Sequence, residues 1–228
     1  MILLVSEGQR DFGDEEGPWC EDPDREGPLR PLVAALLHHP DGLFMRSRKL
    51  GKVHGTRRRH GIGPTQRGLA FKVERVIRDA VRDGCDGVIV VIDQDSRAGA
   101  DRRALLARLE EGRAAAAATP CALGVAQPMV EAWLMGDPGA WARAFGPIAP
   151  SPQGNPETTT GAGGSPRYAK AVLEALLKQA GCDEVLVGYT QVARASDVEV
   201  LIAACAVSFK PFAEEVRGRI GPLYGVRG

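Results

Sequence analysis

Aromatic side chains make up only 5 % of this chain of 228 residues. Platforms that stack single-stranded bases need several exposed rings, so that mode of recognition is not indicated. The five cysteines, Cys20, Cys85, Cys121, Cys182 and Cys205, are scattered, and none forms a CxxC pair. A zinc site and a disulfide framework are both disfavoured, and reduced thiols point to the cytoplasm. No apolar run is long enough to span a bilayer, so no membrane partner is expected. Residues 1–5 are too short for a signal peptide and lack a basic leader. No internal repeat is visible. The serines have no His–Asp context, which argues against a serine nucleophile. His38, His39, His54 and His60 lack an acidic partner at ligand spacing and read as surface residues.

Net charge is also missing, with 29 basic and 29 acidic residues, but the charges are segregated. Residues 7–26 hold nine acids against Arg10 and Arg25, whereas residues 46–60 hold seven Arg and Lys and no acid. Local patches set the field that a partner meets, so the neutral total does not exclude a polyanion. Arg46, Arg48, Lys49, Lys52, Arg57, Arg58, Arg59 and His60 are candidate contacts to a DNA or RNA backbone. The bland alternative is a solvated loop.

What the chain does have is Gly87-Val-Ile-Val-Val-Ile-Asp93-Gln94-Asp95. An unbroken β-branched run reads as a strand buried on both faces of a parallel sheet. Side chains i and i+2 share a face, so Asp93 and Asp95 leave the strand end together. Two adjacent carboxylates repel unless a hard cation joins them; alternatively, they cap the next helix. Residues 1–6 form another short strand that ends at Glu7-Gly8. Apolar spacing predicts helices over 28–39, 69–82 and 99–118, and strands over 43–48 and 121–126. A short helix begins at Pro128. The alternation implies an α/β domain over 1–145, with a mostly parallel sheet flanked by helices. A Pro/Gly/Ser/Thr bridge, 146–166, is expected to be flexible. A helical C-terminal segment, 167–228, packs back on the domain, with helices over 168–180, 198–208 and 211–220.

If the first strand neighbours the strand of Asp93, then Glu7, Asp93 and Asp95 converge. Such carboxylates suit Mg²⁺ or Mn²⁺, with a glutamate left for proton transfer in phosphodiester chemistry. Val5-Ser-Glu7-Gly8, Ile92-Asp93-Gln94-Asp95 and Glu131-Ala-Trp133-Leu134, with Ser208-Phe209 ending a helix, resemble the TOPRIM (topoisomerase–primase) fold. More closely, the chain resembles a small uncharacterised bacterial TOPRIM family related to OLD-type nucleases. The acidic insert after Arg10 departs from compact members. The resemblance implies a metal-dependent nuclease, with an ATPase partner in a phage-defence setting. It implies Glu7 as acid or base and metal ligand, Asp93 and Asp95 as catalytic metal ligands, and Glu131 as either a further ligand or a structural residue. Trp133 and Trp141 read as core. The rival readings are a regulatory subunit that keeps the fold without catalysis, and an Asp-x-Asp phosphatase.

Overall fold

The structure is a computed structural model that describes residues 1–13, 23–39, 43–53, 68–94, 101–116 and 119–226. Four parallel strands, β1 (Ile2–Ser6), β2 (Met45–Lys49), β3 (Gly87–Asp93) and β4 (Cys121–Ala126), form one sheet in the order β2-β1-β3-β4. The two central strands are buried along their whole length, and apart from Ser6 and Asp93 at their ends they are apolar throughout. The α/β class with a parallel sheet is therefore as expected.

Helices cover both faces. Helix α2 (Leu69–Arg82) and α3 (Arg102–Ala116) take one side, where Val73, Val76, Ile77, Ala80 and Leu109 meet Val5, Val90 and Ile92. Gly112 lets these helices touch, because a Cβ there would stand 2.4 Å from the Ala70 carbonyl oxygen. The other face carries α1 (Leu29–Leu36), α4 (Val130–Trp133), α5 (Pro138–Phe145), α6 (Ala169–Gln179), α7 (Val185–Ala195), α8 (Val198–Ala204) and α9 (Phe209–Glu215). Its apolar cluster runs without a break from Ile2, Leu4 and Ile89 to Leu173, Phe212 and Ile220. The C-terminal helices thus share a core with the sheet. Gly124 shows how close they come, since a Cβ would lie 2.7 Å from the Phe212 ring.

The 146–166 segment, expected as a flexible bridge, is pinned at its middle. Glu157 is buried and accepts hydrogen bonds from Val207 N (2.8 Å), Ser208 N (2.6 Å) and Ser208 Oγ (2.6 Å). The helix expected over 198–208 instead breaks at Cys205, and Ser208-Phe209 opens α9 rather than ending a helix. Described residues at the two ends of the acidic stretch form ion pairs: Arg194 pairs with Asp24 and Glu26, and Arg10 with Glu174. Among the described residues Cys85, Cys121, Cys182 and Cys205 are free thiols. No helix among them is long and apolar enough to cross a membrane.

Candidate metal centre

The strand order itself creates a crevice. From β1 the chain goes outward to β2 and then returns to β3 on the other side of β1. Parallel sheets open a binding crevice at such a reversal, beyond the carboxyl ends of the two central strands. Glu7-Gly8 leaves β1 there, and Asp93 ends β3 there.

Register decides which side chains meet. Ser6 lies opposite Val91, and Asp93 opposite Ala126. Alternation therefore gives the Asp93 face to Ser6 and not to Glu7, which is half-buried one position further on. The carboxylate brought to this face from the β1 side is Asp11, in the 3-10 turn Gln9–Asp11. Ser6 Oγ donates to Asp11 Oδ2, and Gly8 N donates to the same oxygen at 3.2 Å. A Cβ on Gly8 would stand 2.8 Å from that oxygen, so the glycine after Glu7 is what lets Asp11 fold back. Phe12, fully buried, anchors the turn.

Asp93 is 8 % exposed, and its Oδ1 accepts from Val130 N (3.0 Å), the first residue of α4. Asp93 thus caps α4. The next residue, Glu131, is 1 % exposed, and its Oε1 lies 3.4 Å from Lys170 Nζ at the start of α6. Its Oε2 is buried with no hydrogen-bond partner among the described residues. An orphaned carboxylate oxygen in such a place is costly unless something binds it.

Burial and mutual repulsion govern the charges. Burial first, then Glu131, pushes the Asp11 carboxyl up to about 7. Burial, Asp11 and Glu131 raise Asp93 well above the usual carboxylate range, and burial raises Glu131 against the pull of Lys170. Burial works against the Lys170 ammonium, but Glu131 and Asp93 outweigh it and raise its pKa. Between 3.8 and about 7 the folded chain keeps a proton on Asp11 that the unfolded chain has released. The stability contribution of this group therefore falls as pH rises across that window. In chelator-treated buffer, unfolding free energies of wild type and Asp11→Asn should diverge as pH rises, the wild type losing ground. A constant difference from pH 4 to 8 would mean that Asp11 ionises without penalty.

Among the described residues no three His, Cys, Asp or Glu side chains are arranged to grip one ion as they stand. Asp11, Asp93 and Glu131 share a field rather than a ready-made cage. Asp95 lies outside the described residues.

No protein-family model, curated protein or solved structure matches this chain.

The cationic candidates divide. Arg48 is held by Asp79 (3.3 Å) and Arg46 faces Asp83 (4.0 Å), on the α2 side of β2. Arg75 and Arg82 also pair with Asp79. These arginines pair with acids at the end of α2. Lys49 lies opposite Ser6, at the crevice end of β2, and Lys52 ends the turn Leu50–Lys52. Arg57, Arg58, Arg59 and His60 lie outside the described residues. Sequence reasoning missed Asp11 and Lys170. Phe12, an apolar residue set among acids and glycines, is the one local sign that the loop after Glu7 turns inward.

Proposed function

We propose that this chain is a divalent-metal-dependent nuclease of TOPRIM type that hydrolyses phosphodiester bonds in DNA or RNA. The observation that carries the reading is that buried Asp11, Asp93 and Glu131 act on one another's charges, with Lys170 paired to Glu131, beside the end of β3. The donors fit a hard cation. They are all oxygens, one of them is orphaned, and their mutual repulsion is what a dication relieves. Asp11, Asp93 and Glu131 would hold Mg²⁺ or Mn²⁺; Asp95 and Glu7 are the further ligands that the motif resemblance implies. When bound, the ion stabilises negative charge on a phosphoryl oxygen.

The chain's own residues supply the rest. Val130 N fixes the orientation of Asp93, and the Ser6 and Gly8 donors fix that of Asp11. Lys170 holds one oxygen of Glu131 and adds positive charge that favours a phosphate beside it. Glu7, half-buried just after β1, would manage a proton, as the motif resemblance implies. Lys49 is at the same edge to meet the nucleic-acid backbone. A cytoplasmic setting and an ATPase partner in phage defence accompany the motif resemblance. One observation favours a regulatory subunit instead: no three described carboxylates yet surround a common point.

The test is incubation of the purified chain with single- and double-stranded DNA and RNA in Mg²⁺ or Mn²⁺. Expected is ion-dependent cleavage that chelation abolishes. Ion binding without cleavage of any nucleic acid would favour the regulatory reading, and turnover of a small phosphomonoester would favour a phosphatase.

A further inference from the structure

β4 stands at one edge of the sheet, with β3 on its inner side. Val88 N donates to Pro120 O and Gln94 N to Ala126 O, each at 2.9 Å. Alternation then turns the N–H and C=O of Cys121, Leu123 and Val125 away from β3. A bare row of such groups is a template on which another strand can pair. This row is not bare. Arg102 Nε donates to Val125 O at 3.2 Å, and Arg113 Nη1 donates to Cys121 O at 3.1 Å. Both arginines belong to α3 and lie three helical turns apart, so they share one side of it. Their spacing along the helix, about 16 Å, nearly matches the roughly 13 Å between the two carbonyls along the strand. Arg113 is held in addition by Glu215 of α9 and by Glu110, each at 2.5 Å.

With both arginines in place, Cys121 and Leu123 are 1 % exposed and Val125 is 0 % exposed. The flanking helices do not meet there. A cavity of ≈ 510 Å³ between α3 and α9 is lined by Arg102, Leu106, Leu123, Pro211 and Glu214. We propose that Arg102 and Arg113 guard the β4 edge, occupying its outward carbonyls so that β4 of a second copy cannot pair with it. Such pairing would be antiparallel about a two-fold axis, with the same surface used on both chains. Each arginine closes one end of the row, because an incoming N–H finds its acceptor already taken. The inference is independent of the metal reading above.

The test is the solution mass of the full chain by light scattering over a concentration series, with amide hydrogen exchange in β4. Wild type is compared with Arg102→Ala, with Arg102→Ala/Arg113→Ala, and with Arg103→Ala/Arg108→Ala. The last removes the same charge from exposed positions of α3. Expected is a larger mass than wild type for Arg102→Ala/Arg113→Ala at equal concentration, with slower exchange of the β4 amides as it associates. Arg102→Ala should shift the same way by less, and it leaves the ties of Arg113 to α9 intact should the double variant fail to fold. Arg103→Ala/Arg108→Ala should behave as wild type. Folded variants no larger than wild type overturn the proposal. Equal association of Arg103→Ala/Arg108→Ala overturns it too, since lost charge then suffices. So does association that leaves β4 exchange unchanged, or a wild type whose own β4 amides slow with concentration.

Discussion

Asp93→Asn is expected to yield a protein that is more stable than the wild type and unable to cleave. Asparagine keeps the shape of the side chain and keeps an oxygen for Val130 N, whose bond to Oδ1 measures 3.0 Å. What it removes is a buried charge that burial, Asp11 and Glu131 all disfavour. At pH 8 the wild-type fold must either bury that charge or hold a proton against its tendency to leave, and Asn does neither. The expected gain is about 1–3 kcal/mol in metal-free unfolding by urea, the scale on which buried polar groups are misplaced. For a chain of this size that corresponds to a midpoint rise of roughly 2–4 °C per kcal/mol. Cleavage should drop by at least about 10²–10³-fold, as when one preorganised charge-stabilising group is taken from an active site. Opposite movement of stability and activity is the signature of a functional acid cluster. An Asp93 that served only to cap α4 would give the reverse: a variant somewhat less stable and just as active.

The sheet was legible in the sequence because a strand buried on both faces must be an unbroken β-branched run, and Gly87–Asp93 is one. α2 was legible for the corresponding reason at a period of 3.6. α5 and α7 were not. α7 contains Gly188 and Thr190, which are poor helix formers, and its packing shows why they are there. A Cβ on Gly188 would lie 2.5 Å from Leu177, so the residue that hides the helix from a propensity reading is the one that lets it dock on α6. The site divides along the same line. Asp93 and Glu131 could be named because they end an apolar run or belong to a short motif. Asp11 could not, because its place depends on strand parity at Ser6 and on a turn that only Gly8 permits. Lys170 sits in an Ala- and Leu-rich helix where nothing local separates it from a solvated lysine. The acids beside the basic stretch were also out of local view. Arg46 and Arg48 pair with Asp83 and Asp79, which lie at the end of α2, far from them in sequence.

Trp133→Ala is expected to be the most destabilising single change near the site and to weaken Mn²⁺ binding although Trp133 is no ligand. The indole is fully buried, stacked on Phe212 at 5.3 Å and 17° and edge-on to Phe209 at 5.1 Å. Its N–H donates to Ser208 Oγ at 2.8 Å, and Ser208 in turn donates to Glu157. Truncation leaves a cavity between α4 and α9 and strips the ring from that chain of bonds, at a cost of about 3–5 kcal/mol in urea unfolding. Val130, which holds Asp93, and Glu131 share a helix of four residues with Trp133. So short a helix has little stability of its own, and its position is set by what the tryptophan packs against. Trp133→Phe separates the two effects. It keeps most of the ring and forfeits the N–H, so it should cost only about 1–2 kcal/mol and leave Mn²⁺ affinity near wild type. If Trp133→Ala unfolds early yet binds Mn²⁺ as tightly as wild type, then α4 is placed by Asp93 and Lys170 rather than by its tryptophan, and the aromatic cluster stabilises the fold without shaping the site.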